Sequence, residues 1–430
     1  MYRLSAAARI RGAGLLRWAA YAAQAWLSGS ALYLLALLLA GCRPTTHPSR
    51  EPAAQGARVA VLVPAHDEEA GISESVAGLG SQDHPRHLLD VIVIADNCSD
   101  RTAALAAAAG AVVWERDDRD APGKGQALAW ALDRLWRERP QTDAVAIVDA
   151  DCAASANLCS TIAAAIVNGA DAVQAAYAVS NASESPTASL RAAGFALKHV
   201  IRARGRARLG LSCNLFGTGM GFSAAVLRRV VWPHSVTEDT EMFVRLTRAG
   251  YRVAYADGAW VTSPMPVSTD QATQQQLRWE SGNAQLARRE LPGLLWQAIS
   301  TGDVQCLGAA AELVLPSQTL MAAGALAVLA GGVLSSDRRL VAGSVATIAA
   351  QGSYVLGGLA AADESTTALG ALVHLPGFTA GRLRVLARVA SGRGARSWVR
   401  TTRAGGSSDG GPVAADPRGL RRRPRSPRRC

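Results

Sequence analysis

The chain has 430 residues, half of them hydrophobic (49%), and a net charge of +11. That length suits two or three structural units rather than one small domain. Its seven cysteines, Cys42, Cys98, Cys152, Cys159, Cys213, Cys306 and Cys430, form no CxxC pair and no regular spacing, which argues against a disulfide framework or a zinc site and for reduced thiols.

In chain order, residues 15–41 are nearly free of charge after Arg17 and long enough to cross a bilayer. Leu39-Ala40-Gly41-Cys42 matches a lipoprotein cleavage box. The preceding stretch, however, is longer than an ordinary signal peptide and has arginines spread along it, so residues 1–45 read as an uncleaved anchor helix. Residues 56–290 then alternate strand and helix signals, as a soluble α/β domain does. Residues 58–65 are a β-branched run through Pro64, and residues 90–96 are a second run ending at Asp96. Asp100 stands where a helix cap is wanted, before an Ala-rich run closed by Gly110. Residues 111–115 read as a third strand, and 125–139 as a helix with Leu128, Ala131, Leu132 and Leu135 on its apolar side. A fourth strand, 144–148, delivers Asp149 and Asp151 at its carboxyl end, where open α/β sheets bind ligands.

Beyond Asp151 the pattern is looser. Residues 171–179 suit a strand, 190–208 a helix with a basic face, and 217–222 a glycine-rich turn into Ser223. Thr237 caps a predicted helix over 237–248 with acids in its first turn. Residues 251–261 are strand-like and 271–289 helical. Residues 291–305 carry enough Leu and Trp to lie along a membrane surface. Residues 306–363 read as a two-helix transmembrane hairpin: 309–334 contain one acid, Glu312, and 340–362 no charge. A basic amphipathic segment, 364–403, and a disordered Arg-rich tail, 404–430, follow. From Arg382 onward there are 14 arginines against Asp409 and Asp416, which exceeds the net charge of the whole chain. A basic tail beside membrane helices fits attraction to anionic headgroups, and no nucleic-acid recognition motif accompanies it.

Several clusters carry chemistry. Asp149-Ala150-Asp151 places two carboxylates on one face of an extended segment, where they can hold Mg²⁺ or Mn²⁺ together with a diphosphate. Asp96 can accept a hydrogen bond from a base N–H, or it can cap the next helix. Lys124, in Gly123-Lys124-Gly125 at a helix start, can meet a phosphate; it lacks the rest of a P-loop, which argues against ATP hydrolysis. In Thr237-Glu238-Asp239 the Asp239 carboxylate is the candidate general base for a sugar hydroxyl. Gln275, Arg278 and Trp279 share a helix face: Arg278 can neutralise a departing diphosphate, and Trp279 offers a platform for a sugar ring.

In this order the motifs resemble glycosyltransferase family 2, in its membrane-bound, polysaccharide-synthase-like branch. The likeness runs from about Val59 to Trp279. Pro64 and Glu68 resemble the first nucleotide-contacting strand end, with Asp67 where Asn is usual. Asp96 matches the base-binding acid, with Asn97 where many members have a second Asp. Asp149 and Asp151 match the metal-binding DxD. Gly217-Thr218-Gly219, with Glu238 and Trp279, resembles the acceptor side, Asp239 the catalytic base, and Gln275, Arg278 and Trp279 the QxxRW motif. Residues 398–403 resemble a tail of some members. The resemblance implies an α/β GT-A catalytic domain (a Rossmann-like mixed sheet) flanked by transmembrane helices. It also implies inverting transfer from a UDP-sugar, with Mg²⁺ or Mn²⁺, to a hydroxyl of a glycan or lipid-linked acceptor. The expected layout is a multi-pass inner-membrane protein with a cytosolic catalytic domain, and a homo-oligomer or an export partner if transfer is processive. Single addition to a lipid carrier, and a non-catalytic sugar-nucleotide- or lipid-binding protein, are the competing readings.

Overall fold

In the computed structural model, residues 6–43, 56–266, 269–362 and 374–391 are described. The expected tail, 404–430, and the family-like residues 398–403 lie outside them. In chain order the elements are α1 (Ala6–Gly41), β1 (Val59–Ala65), α2 (Ile72–Gly80), β2 (Leu89–Asp96), α3 (Thr102–Ala108), β3 (Val112–Arg116), α4 (Lys124–Glu138), β4 (Ala144–Ile147), β5 (Ala153–Ala154), α5 (Leu158–Val167) and β6 (Ala172–Val179). They continue with α6 (Pro186–Phe195), a π-helical segment (Ala196–Ile201), α7 (Arg202–Arg208), β7 (Met220–Ser223), α8 (Ala224–Leu227), α9 (Glu238–Arg248), β8 (Val253–Ser263), α10 (Thr269–Thr301), α11 (Val304–Val314), α12 (Gln318–Leu334), α13 (Arg338–Ala361) and α14 (Leu375–Ala390).

The strands form one mixed eight-stranded sheet in the order β3-β2-β1-β4-β7-β6-β8-β5. β1 is parallel to both β2 and β4, while β7 runs antiparallel to β4 and to β6. The chain passes to one side of β1 for β2 and β3 and to the other for β4. The carboxyl ends of β1 and β4 therefore flank the point where strand order reverses, which is where such sheets bind ligands. Alternation within β1 explains its burial on both faces: Ala60 and Leu62 join one core with Leu128, Trp114 and Phe222, while Val59, Val61 and Val63 join another with Ile72, Leu158 and Ile162. Each fully buried side chain of this size contributes roughly 1.5–3 kcal/mol.

Three expectations change. The apolar stretch 309–334 is two helices, α11 and α12, bent by 73°. Pro316 imposes an extended conformation on Leu315, and the Ser317 hydroxyl caps the new helix by accepting from Leu320 N. Residues 291–301 are continuous with the preceding helix, since α10 runs through Pro292 to Thr301. The basic-faced helix starts earlier than 190, at Pro186, with Ser185 accepting from Ala188 N. Two helices, α1 over Gly14–Gly41 and α13, are long and apolar enough to cross a membrane, or three spans if the bent α11–α12 pair counts as one.

α1 joins this bundle to the catalytic domain. Leu27, Leu34 and Leu38 cluster with Leu197 and Ile201 of the π-segment, Met321 of α12 and Tyr354 of α13. At one end of α1, Arg17 and Tyr21 reach Asp337 in the α12–α13 turn. At the other, Gly41 lies against the backbone of Ile201 and Gly205, so close that a Cβ on Gly41 would stand 2.5 Å from Ile201 O.

Candidate active site

Lys124 organises the site. It opens α4, and its ammonium lies 2.6 Å from Asp149 Oδ1 and 3.4 Å from Glu238 Oε1, and donates to the Gly217 carbonyl at 2.6 Å. One cation thus draws together the ends of β4, the loop before β7 and the start of α9. Burial opposes the charge on Lys124, yet Asp149 and Glu238 outweigh it and hold the ammonium well above its ordinary range. The same contacts engage Lys124 with protein groups in this structure, whereas the sequence suggests a phosphate partner.

The glycine turn fits closely over this cation. Gly217 has φ +85°, and a Cβ there would meet Asp239 Oδ2 at 3.5 Å and Lys124 Nζ at 3.6 Å. Gly219, at φ +63°, leaves no room for a side chain beside Val261. Thr218 points the other way: it is fully buried and its hydroxyl accepts from Asp149 N at 3.1 Å. Among the residues expected to face an acceptor, Thr218 instead fixes the DxD loop, because its side chain has no surface to offer. Gln174 holds the turn from below. This fully buried amide donates to Thr218 O at 2.9 Å and accepts from Phe216 N at 2.9 Å. The signal for Gln174 was a lone polar residue in an otherwise apolar strand.

Glu238 and Asp239 start α9 beneath the turn. Burial raises the Glu238 carboxyl to about 7; Lys124 pulls it down and Asp239 pushes it further up. Burial also raises Asp239, against the Thr240 N–H, Lys124 and Lys198. Thr237 forms no side-chain cap, contrary to the capping expected of it, because its side chain packs against Gly282 of α10. Asp239 itself takes the cap position's work, accepting from Thr240 N at 2.6 Å.

The donor-side residues sit at adjacent strand ends. Asp96 is 5% exposed and pairs with Arg116 at 2.5 Å, its direct neighbour in the β2–β3 register. Arg116 escaped the sequence reading because only that register reveals the pair. Asp67 and Asn97, the two departures from the family pattern, both adopt left-handed backbone at φ 53°, a conformation Asp and Asn tolerate. Each stitches its loop: Asp67 Oδ1 accepts from Ser99 N at 2.6 Å, and Asn97 Oδ1 from Asp118 N at 2.8 Å. Pro64 is half-buried at the end of β1, and Glu68 N donates to the Thr102 hydroxyl. Asp100, expected as the cap, stands one residue before the cap position, Arg101, and accepts from Thr102 N at 2.9 Å.

Ligand atoms of Asp149, Asp151 and Cys152 lie within 4.8 Å of one another. Burial, with Asp151 and Asp149 nearby, pushes the Cys152 thiol well up, and the two carboxylates are the hard oxygen donors of the set. Two carboxylate oxygens suit a hard divalent cation that completes its shell from phosphate and water.

α10 supplies the last wall. Arg278 is half-buried; burial lowers its pKa while Glu238 and Asp149 hold it up, which places it in the field of the same carboxylates. Gln275 instead accepts from Arg191 of α6, whose guanidinium lies 5.6 Å from the centre of the half-buried Trp279 ring. The structure therefore brings Lys124, Asp149, Gly217, Glu238, Asp239 and Arg278 together, with Gln275 and Trp279 alongside on an arginine that the sequence reading did not single out.

The chain is 24% identical over 239 residues to the probable glycosyltransferase YdaM of Bacillus subtilis (strain 168), covering 53% of this chain and 55% of that protein. It is 32% identical over 94 residues to the low-salt glycan biosynthesis hexosyltransferase Agl6 of Haloferax volcanii, 22% of this chain and 21% of that one. The chain thus spans about half, or less, of the length of these curated relatives. Its fold is similar to the mannosyltransferase PcManGT from Pyrobaculum calidifontis, solved in complex with GDP-Man and Mn²⁺, with a TM-score of 0.54 and 18% identity over 83% of this chain and 97% of that one. The family described as "Glycosyltransferase like family 2" matches residues 57–282, from the start of β1 through the Trp279 helix, and the chain belongs to that family.

Proposed function

We propose that the protein is an inverting glycosyltransferase that moves a sugar from a nucleotide-diphosphate donor, read from the motifs as a UDP-sugar, to a hydroxyl of a glycan or lipid-linked acceptor at a membrane. The observation that carries the reading is the Lys124 ammonium holding Asp149, Glu238 and the Gly217 carbonyl together against Asp239. Asp239 takes the proton of the acceptor hydroxyl as its oxygen bonds to the anomeric carbon; the bond from that carbon to the diphosphate breaks, and its electron pair leaves with the diphosphate. Arg278 lies where it offsets the charge that develops on the leaving group. Asp149 and Asp151 would hold Mg²⁺ or Mn²⁺, which when bound supplies further charge neutralisation at the diphosphate. Asp96, locked by Arg116, stands at the strand end where the motif places the nucleobase. A fold-mate that binds a nucleotide sugar with Mn²⁺, and a relative acting in glycan synthesis, support the donor class, the metal and a role in exopolysaccharide or cell-envelope glycan synthesis.

The span count favours one addition to a lipid-linked acceptor. At most three candidate spans among the described residues are few to surround a growing polymer, so a processive enzyme would need a homo-oligomer or an export partner. Incubating membranes with labelled UDP- and GDP-sugars, with and without divalent metal, reads donor and metal together. Asp239→Asn is expected to lower transfer by about 10²–10⁴-fold with nucleotide binding retained; transfer at the wild-type rate would overturn the assignment.

A further inference from the structure

The basic face of α6 and its π-helical continuation has no part in the transfer chemistry above. Arg191 is 7% exposed, and its Nε is buried without a hydrogen-bond partner. Its one side-chain hydrogen bond among the described residues is from Nη2 to Gln275 Oε1, and no carboxylate pairs with it there. The nearest charge acting on it is another cation, Arg382 of α14; together with burial this draws Arg191 down to about 10. Arg382 donates from Nη2 to Glu280 Oε1 at 3.0 Å, and its own Nε is also buried and unpartnered. Both guanidinium groups thus dock on the same stretch of α10, Arg191 at Gln275 and Arg382 at Glu280, and the Glu280 carboxylate bonds Arg382 and not Arg191. A buried charge without a counter-ion costs several kcal/mol, and the arginine fork matches the oxygens of a phosphoryl group.

The position names the anion's owner. The charges acting on Arg278 are Glu238 and Asp149, at the donor end, and neither acts on Arg191. Arg191 instead lies over the Trp279 ring. Lys198, two turns further along the same helical run, is exposed. Ala193 and Leu197, on the same helical run, belong to the apolar cluster formed with α1, α12 and α13. The helical run that carries Arg191 thus borders the candidate membrane spans.

We propose that Arg191 and Arg382 bind a phosphoryl group of the acceptor, so that the acceptor is a phosphate-bearing molecule, supplied from the lipid side, whose separate acceptor hydroxyl is the group presented to Asp239. This rests on the glycosyltransferase reading and narrows its acceptor class. The test uses the full chain in nanodiscs. Capture of a radiolabelled polyisoprenyl phosphate is compared with capture of the corresponding polyisoprenyl alcohol, with inorganic phosphate as competitor, for wild type, Arg191→Gln and Arg382→Gln. Expected are binding of the phosphate at least tenfold tighter than of the alcohol, and a loss of about tenfold in each variant, with nucleotide-sugar affinity changed less than threefold. Competition by millimolar inorganic phosphate would support the site and assign it to any phosphate, and failure to compete would support it and assign it to the lipid. Equal capture of phosphate and alcohol, or both variants binding within twofold of wild type, overturns the proposal. If Arg191→Gln loses its thermal transition, Arg382→Gln decides alone. Nucleotide-sugar binding by the wild type, measured on the same preparation, separates the two ideas: its absence defeats the glycosyltransferase reading, and its presence without phosphate selectivity defeats only this inference.

Discussion

Glu238, buried, and Asp239, half-buried, are consecutive carboxylates in the field of one ammonium, and their protons belong to the pair. With Glu238 raised to about 7 by burial against the pull of Lys124, the unfolded chain releases this proton near 4.5 while the fold keeps it, so stability attributable to Glu238 falls as pH rises from 4.5 to 7. Transfer needs Asp239 ionised, and its neighbour's charge resists that. Activity is therefore expected to fall on the acid side, along a limb that lies above the range of an ordinary aspartate. Glu238→Gln, which removes the adjacent negative charge, is expected to move that limb to lower pH. A pH–rate profile of kcat/KM for both proteins checks this, and an unmoved limb would mean that the pair titrates independently. Asp149, Asp151 and Asp239 were legible as candidates because each follows a strand or opens a helix, positions a local pattern marks. Arg116 and Gln174 were not, since a cross-strand pairing and a hydrogen bond to a turn 44 residues away leave no local trace.

Among the elements, α7 is where the catalytic domain meets the anchor. A Cβ on Gly205 would lie 2.2 Å from Leu37 O, so the α1 and α7 backbones touch through small residues. Gly205→Val is expected to cost about 1–3 kcal/mol by overpacking. Gly194→Ala, with open space around it, should leave stability within about 0.5 kcal/mol. Thermal unfolding in detergent compares them. Beside this contact Glu312 of α11 pairs with Arg202, lies 3.3 Å from Arg206, and accepts from Tyr33 of α1 at 3.0 Å and Asn214 at 2.8 Å. In the sequence Glu312 was a lone acid in an apolar stretch; the fold turns it inward onto two arginines. Glu312→Ala strands both, and a loss of about 3–5 kcal/mol is expected in the same assay.

For the whole molecule, the bundle has two distinguishable ends. The α12–α13 turn and the N-terminal part of α1 meet at Asp337. The catalytic domain lies at the other end, where α14 returns to α10 through Arg382 and Glu280. If the α/β domain is cytosolic, as the family resemblance implies, α14 lies in the cytosol and the Asp337 turn outside. A reporter fused after Arg403 is expected to be active only in the cytosol; activity only outside would reverse the orientation.

The sequence alone determined the strands that hold the acids, the order of the motifs and the apolar stretches, because strand period, turn chemistry and hydrophobic length act over a few residues. The tertiary structure alone decided that Lys124 gathers carboxylates, that Thr218 turns inward, that Pro316 divides one apolar stretch into two helices, and that α14 brings a second guanidinium beside Arg191. The bend had a local signal in the proline, but its 73° angle follows from packing. The other three depend on residues distant along the chain meeting in a low-dielectric interior, where a buried charge must find its partner in space rather than in sequence.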